Sequence, residues 1–450
     1  MSLSVVILAA GKGKRMFSKL PKVLHKLSNQ PLLQYVINIA KNLNPENINV
    51  VVGYKSKEVK SVFSNEKINW IIQKNQLGTG DAVRYAIPHL KSSQTIILYG
   101  DVPLVDFNDL KQLIKKSEKG LGILTFKKIN PTGYGRIKRI KDDIEGIVEE
   151  KDCDDSEKKI TEINTGIICV DTSNLINWLS LISNNNSQKE YYLTDIVALA
   201  RKEKIKICSH EAKSEVSILG INSKIELAMM ERALQNKKNN LLMEQGVTLL
   251  DPSRTDIRGN LNCESNVEID VGCIFEGKVE VGSNVKIGAY THIKDSIISE
   301  NTIIKPYSLI DSANIGRNNI IGPYARLRPG TETHNDVHIG NFVEIKNSKI
   351  GTGTKVNHLS YVGDSLVGKN VNVGAGTITC NYDGVKKHQT IVEDNVFIGS
   401  NSQLVAPVTI GAGSTIGAGS TITKDTPKNE LSLSRAKQTS IPGWEKPKKS

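Results

Sequence analysis

In the second half of this 450-residue chain an aliphatic residue followed by glycine recurs in phase. It stands at Val281–Gly282, Ile287–Gly288, Ile315–Gly316, Ile321–Gly322, Ile339–Gly340, Ile398–Gly399, Ile410–Gly411 and Ile416–Gly417. Many of the separations are multiples of six, as from 281 to 287, from 315 to 321 to 339, and from 398 to 410 to 416. A period this short excludes an ordinary sandwich or helical bundle. It is the signature of a chain wound into flat-sided coils, one short parallel strand per side. The aliphatic side chain points inward, and the glycine leaves the corner free of a Cβ. Three sides of six make a coil of about 18 residues, so residues 18 apart are expected to stack, roughly 4.7–4.9 Å apart.

The first half has another rhythm. Residues 1–225 hold 13 glycines against 23 in residues 226–450. "SVVILAA", "INVVVGY", "INWIIQ" and "TIILYG" read as buried strands. "PLLQYVINIAKNL" places Leu33, Val36, Ile37 and Ala40 on one helical face, and "GTGDAVRYAIPHL" reads as a further helix. Strand and helix in alternation predict a parallel sheet covered by helices. "KIELAMMERALQNKKNNLLMEQG" lies between the two rhythms, with Leu227, Met230, Leu234 and Leu241 on one side and Gly246 as its stop. The expected organisation is an α/β domain over residues 1–225, a linker helix over 226–246, and an all-β parallel β-helix over 247–450 with a C-terminal tail.

Composition narrows the function. No apolar run approaches the ~20 residues of a membrane span, and no long apolar segment before a cleavage site is visible, so a cytoplasmic protein is expected. The six cysteines make no CxxC and no zinc pattern, which points to reduced, structural thiols. The net charge of +12 would suit nucleic acid, but no Lys/Arg cluster is interleaved with aromatics. Small polyanions such as nucleotides and sugar phosphates account for the charge equally well.

"LAAGKGKRM", residues 8–16, closes the first strand. It fails the dinucleotide fingerprint, because Met16 stands where the third glycine belongs, and it fails GxxxxGK[ST]. With "LPKVLHKL" downstream it resembles the signature of sugar-1-phosphate nucleotidyltransferases, in which glycines are coupled to Arg15 and Lys22. Backbone N–H groups of such a loop can cradle a triphosphate, and the two cations add charge where the α-phosphorus is attacked. Asp101 ends the strand "TIILYGD", at the carboxyl edge where α/β sheets bind ligands. A lone carboxylate there suits Mg²⁺; a turn cap is the other reading.

"QKNQLGTGDAV", "YGDVPL", "NPTGYGRI", "GIVEEKD", "EINTGI" and "LGIN" follow in order, and "RPGTETHNDVHIGNFVEIKNSKIGTGTKVNHLSYVGD" and "GAGTITCNYDG" lie in the repeat half. Over nearly its whole length the chain resembles the bifunctional N-acetylglucosamine-1-phosphate uridylyltransferase/glucosamine-1-phosphate acetyltransferase family. The resemblance implies a Rossmann-like nucleotidyltransferase domain followed by a left-handed β-helix, although right-handed crossovers are the general rule. It implies UTP and acetyl-CoA as substrates, Mg²⁺ on Asp101 and Asn222, and a homotrimer that shares its acetyl sites between subunits. Leu8, Ala9, Ala10, Gly11, Lys22, Gln73, Gly78, Thr79, Tyr99 and Gly100 would contact the nucleotide and flank the metal, and Gly135, Glu149 and Asn164 would hold the acetylated sugar. A sugar 1-phosphate is already anionic and needs no general base, so this first reaction reduces to positioning and electrostatics.

The second reaction is acetyl transfer. Arg328 and Lys346 are 18 apart, each just after an inward aliphatic position, Leu327 and Ile345. Stacked cations repel unless an anion joins them, so they mark either a phosphate site or two solvated side chains. His358 lies two residues past inward-facing Val356, off the interior register. Acylating an amine requires a neutral nitrogen, and an imidazole with its ordinary pKa near ~6.5 can take the proton. The resemblance makes His358 the general base, gives Arg328 and Lys346 the sugar phosphate and Tyr361 and Asn372 the sugar. Ala375, Asn381, Tyr382, Ser400, Ala418 and Arg435 would lie along acetyl-CoA, with the basic tail "RAKQTSIPGWEKPKKS" folded over it. Cys380 raises the rival of a thioester intermediate, but no residue is assigned to activate its thiol. Two further readings stay open: a single nucleotidyltransferase whose solenoid only assembles or regulates, and a non-catalytic scaffold.

Overall fold

Strand Leu3–Ala9 is an inner strand of the first sheet, paired in parallel with Asn47–Val52 on one side and Gln94–Tyr99 on the other. From edge to edge the order is Ile207–Glu211, Leu121–Lys127, Glu162–Asp171, Gln94–Tyr99, Leu3–Ala9, Asn47–Val52 and Asn69–Ile72. Val5, Val6 and Ile7 have no exposed surface, as a strand covered on both faces requires. Helix Leu32–Asn42 buries Leu33, Val36, Ile37 and Ala40 completely. The sheet is mixed rather than all parallel, because Glu162–Asp171 runs antiparallel to both neighbours. The chain reaches that strand through the hairpin Arg136–Ile140/Asp143–Val148, and without a crossover helix a returning strand enters antiparallel.

A computed structural model describes residues 2–447 and divides into two compact units, Met1–Leu234 and Gln235–Ser450. Helix Lys224–Glu244 crosses that division. Met230 and Leu234 are buried with Leu27, Leu32 and Ile221 in the first unit, whereas Leu242 joins the core of the second. Leu241, expected on the apolar side, is 49% exposed. The buried face shifts by one residue because the chain turns back through Gly246, at φ +94°, and ties the Val247 N–H to the Leu242 carbonyl at 3.1 Å.

The second unit is a stack of parallel coils. One wall is an eleven-stranded sheet from Thr248–Leu249 to Leu431–Ser432, and the other two walls share a seventeen-stranded sheet. Val281, Ile287, Ile315, Ile321, Ile339, Ile398, Ile410 and Ile416 all point into the core. At about 1.5–3 kcal/mol for each fully buried aliphatic side chain, this repeated burial is the main source of cohesion. The coil length is not constant: Ile269 pairs with Ile287 and Ile321 with Ile339, steps of 18, but Ile287 pairs with Ile304 and Ile339 with Val356, steps of 17. One step, from Val373 to Ile398, is 25, because residues 381–389 leave the coil as a loop.

Corners and close contacts are divided between residue types. Left-handed φ values fall on three columns of corner residues, among them Asn284, Asn301 and Asn318 in one, and Tyr290, Tyr307, Tyr324, Phe342 and Leu359 in another. The glycines after the inward aliphatics mostly do something else. A Cβ at Gly340 would lie 2.0 Å from the Asn357 carbonyl oxygen of the next coil, so glycine is required by closeness there, not by φ. The aromatic corner residues stack with centroids 5.3, 5.0 and 5.3 Å apart along Tyr290, Tyr307, Tyr324 and Phe342. Each such pair adds about 0.5–1.5 kcal/mol.

Candidate active sites

The first site forms at the carboxyl ends of the central strands. A cavity of about 270 Å³ is lined by Leu8, Ala9, Ala10, Gly11, Lys22, Gln73, Gly78, Thr79, Tyr99 and Asp101, together with Val23, Gln76, Ala82 and Glu190. Gly78 sits at φ +115°, and a Cβ there would lie 2.6 Å from the Tyr191 carbonyl. The same segment is tied on by Tyr191 N–H to Leu77 O at 2.8 Å and by Leu193 N–H to the Thr79 hydroxyl at 3.1 Å. Glu190 was not legible in the sequence, because it reaches the pocket only through this tertiary clamp. Gln73 is buried and its amide donates to Asp81 at 2.7 Å, which fixes its orientation. Gly100 lies behind the pocket, with its N–H on the Leu8 carbonyl at 2.9 Å.

Lys22 brings the charged centre together. Its ammonium donates to the Asp101 carboxylate and, at 2.6 Å, to the Asn222 amide oxygen. Asn222 is placed by a capping box that opens helix Lys224–Glu244. Glu226 accepts from the Ser223 N–H at 2.9 Å and from the Asn222 N–H at 2.5 Å, while the Ser223 hydroxyl accepts from Glu226 N–H at 3.2 Å. The Ile221 N–H on the Asp101 carbonyl, 2.9 Å, locks the two segments side by side. Arg15 stands apart, exposed on the short turn Lys14–Met16.

Gly135, Glu149 and Asn164 form an adjoining cluster. Asn164 N–H donates to Gly135 O at 2.8 Å, and a Cβ on Gly135 would meet the Glu149 carboxylate at 3.4 Å. Burial pushes the Glu149 carboxyl above the usual carboxylate range, against a hydrogen bond from Thr194 at 2.9 Å. Burial, helped by Glu149 and Asp101, pushes the Tyr99 phenol up as well. Gly166, next to Asn164, packs its backbone against the Tyr99 ring and so joins this cluster to the pocket.

The second site runs up one corner of the coil. Asn341 pairs in register with His358. Extending the register from Val356↔Val373, Val373↔Ile398 and Ile398↔Ile416 places Ala375, Ser400 and Ala418 above His358 in the same column. Backbone bonds confirm the steps, with Asn401 N–H on Ala375 O at 2.7 Å and Gly419 N–H on Ser400 O at 2.8 Å. Arg435 closes the top, its guanidinium donating to Ala418 O at 2.9 Å. His358 is exposed, and its Nδ1 lies 2.8 Å from the Asn341 amide oxygen. That oxygen can only accept, so Nδ1 carries the hydrogen, and in the neutral ring Nε2 is the nitrogen with the lone pair. Asn341 escaped the sequence reading, since only the 17-residue step puts it beneath the histidine.

Arg328 and Lys346 do stack on the adjoining wall, where the step is 18. Arg328 is held by Glu344 at 2.7 Å. Lys387, carried in by the 381–389 loop, pushes the Lys346 ammonium below its ordinary value, with Arg328 adding to the effect. The loop is braced by Asp383, which accepts from the Lys386 and Val385 N–H groups and from His388, and whose carboxyl is held down at about 2. Asn381 donates to Asp364, and Tyr382 is exposed on the same loop. Tyr361 lies on the wall of Lys346, whereas Asn372 lies on that of His358. Lys387 could have been suspected from the break in aliphatic phase that contains "KKH". Burial pushes the Cys380 thiol up, away from the thiolate a nucleophile needs.

Residues 5–137 match the MobA-like NTP transferase domain, residues 257–331 the GMPPB C-terminal domain, and residues 389–424 the bacterial transferase hexapeptide (six repeats). The chain is 53% identical over 451 residues to the bifunctional protein GlmU of Nitrosospira multiformis, across 99% of this chain and 98% of that one. It is 54% identical over 454 residues to the bifunctional protein GlmU of Nitrosomonas europaea, across 100% and 99%. The chain belongs to the GlmU family. Among solved structures, a UDP-glucose pyrophosphorylase complexed with UDP-glucose covers 53% of this chain and 100% of its own, at 16% identity and a TM-score of 0.45. As a member of the GlmU family the chain is a bifunctional enzyme with uridylyltransferase and acetyltransferase activities, acting on sugar phosphates and nucleotides. Among the described residues, no helix is long and apolar enough to cross a membrane.

Proposed function

We propose that the corner column acetylates glucosamine 1-phosphate and that the sheet-edge pocket couples the product to UTP, in a cytoplasmic homotrimer. The observation that carries this assignment is the column itself. His358, its Nδ1 tied to Asn341, stands beneath three small residues on successive rungs, beside a separate set of cations, Arg328, Lys346 and Lys387. Three rungs span roughly 14 Å at the sheet spacing, a smooth track for an extended acyl-thioester arm.

In acetyl transfer, Arg328, Lys346 and Lys387 hold the sugar phosphate, and Tyr361 and Asn372 orient the ring. His358 Nε2 takes a proton from the amine as its nitrogen attacks the thioester carbonyl. The C–N bond forms, the C–S bond breaks, and the departing coenzyme thiolate receives the proton. Ala375, Asn381, Tyr382, Ser400, Ala418 and Arg435 line the donor. The exposed row Tyr290, Tyr307, Tyr324, Phe342 and Leu359 runs along the same corner. A monomer rarely leaves so continuous an apolar strip in water, which supports assembly around this site.

In uridylyl transfer, an oxygen of the sugar phosphate attacks the α-phosphorus, the α–β bridging bond breaks, and pyrophosphate leaves. Leu8–Gly11, Gln73, Gly78 and Thr79 hold the nucleotide, Tyr99 and Gly100 flank Asp101, and Gly135, Glu149 and Asn164 hold the sugar. Lys22 and Arg15 offset charge on the phosphates. Asp101 and Asn222 fit Mg²⁺: their two oxygens converge on one cationic atom, the Lys22 ammonium, and hard oxygen donors in small number suit an ion that keeps its waters and substrate phosphates. When bound there, Mg²⁺ supplies charge neutralisation and alignment of the reacting oxygens.

Incubating the full chain with glucosamine 1-phosphate, acetyl-CoA, UTP and Mg²⁺, and weighing the products, tests the reading. UDP-N-acetylglucosamine, pyrophosphate and free coenzyme A are expected in equal amounts. Unacetylated UDP-glucosamine as the product would overturn the order of steps.

A further inference from the structure

The Lys22 ammonium occupies the point on which the two cation-binding oxygens converge. The ion pair with Asp101 is largely withdrawn from water, the side chains being 12% and 19% exposed. An ammonium and a divalent cation cannot share that point, because like charges in a partly desolvated site repel strongly. Yet Lys22 also lines the nucleotide pocket beside Leu8, Gly11 and Gln73. Its flexible four-carbon stem can reach either way.

The Asn222 oxygen does not depend on Lys22 for its placement, and the Asp101 backbone is fixed independently of it. Asn222 Nδ2 donates to Gly220 O at 3.1 Å, the Asn222 N–H is capped by Glu226, and the Ile221 N–H holds the Asp101 carbonyl. Asn222 and the Asp101 main chain are thus set by backbone bonds and capping, and the ammonium is a replaceable occupant. We propose that Lys22 is an internal counter-ion: it holds the divalent-cation position in the free enzyme and is drawn off by the incoming triphosphate. The free enzyme therefore resists the bare cation, and nucleotide and cation favour each other's binding reciprocally. This rests on the reading of Asp101 and Asn222 as the cation ligands.

The test is Mn²⁺ binding to the full-length, nucleotide-free protein, followed by electron paramagnetic resonance, with far-UV circular dichroism as the folding check. Lys22→Met and Lys22→Gln, which lack the competing charge, are expected to bind Mn²⁺ at least tenfold more tightly than wild type. Lys22→Arg, which keeps a cation, is expected to stay as weak as wild type. Folded Lys22→Met and Lys22→Gln that bind no better than wild type would overturn the proposal. If the Lys22→Met gain survives addition of Asp101→Asn, the ion sits elsewhere, and the ligand reading beneath the proposal fails instead.

Discussion

Alanine at His358 is expected to lower acetyl transfer by about 10²–10⁴-fold, the usual worth of a positioned general base, and to leave uridylyl transfer from supplied N-acetylglucosamine 1-phosphate at its wild-type rate. The loss follows from geometry. Nε2 is the nitrogen left to take a proton on an exposed ring whose other nitrogen is engaged by Asn341 at 2.8 Å. The selectivity follows from topology, since His358 belongs to the coil unit Gln235–Ser450 and the nucleotide pocket to Met1–Leu234. Release of coenzyme A, read with a thiol reagent, measures the first activity, and pyrophosphate release the second. Loss of both would contradict the division of labour. The rival route through Cys380 is checked in the same assay. Cys380→Ser is expected to keep substantial acetyl transfer, because the thiol is pushed up by burial and donates to the Gln403 amide oxygen, at 3.9 Å, which is no base.

The converse result is expected at Asp101. Asp101→Asn keeps the shape of the side chain but removes the charge that pairs with Lys22 and would bind the cation. Uridylyl transfer is expected to fall by about 10²-fold or more, on the scale of deleting one electrostatic stabiliser of a transition state, and to demand more Mg²⁺. Acetyl transfer is expected to be unchanged. An unaltered Mg²⁺ dependence would remove Asp101 from the ligand set. Alanine at this position would confuse the result, since it removes the shape of the side chain together with its charge.

How far the sequence carried the account depended on whether a feature was local. The inward aliphatics of the coil were legible because burial repeats at fixed spacing, and Val281, Ile339 and Ile416 all lie in the core. The stacking of Arg328 over Lys346 was legible because that step happens to be 18. Asn341 under His358 was not, because that step is 17 and a one-residue slip changes which side chains meet. Glu190 depends on a segment that returns from a distance, so neither periodicity nor motif marks it, and Lys387 is marked only by the break in aliphatic phase that carries it. The antiparallel strand Glu162–Asp171 was hidden because a strand's apolar run does not record its direction. The nucleotide loop, by contrast, was readable as a motif, since its glycines and cations lie close together in the chain and in space.

The most direct test of two separable sites mixes the crippled enzymes. His358→Ala alone and Asp101→Asn alone, each given glucosamine 1-phosphate, acetyl-CoA, UTP and Mg²⁺, are expected to yield little UDP-N-acetylglucosamine. Combined in one tube they should restore it, as one variant acetylates and the other takes up the released sugar phosphate. A mixture no more productive than either variant alone would contradict two independent centres joined by a free intermediate.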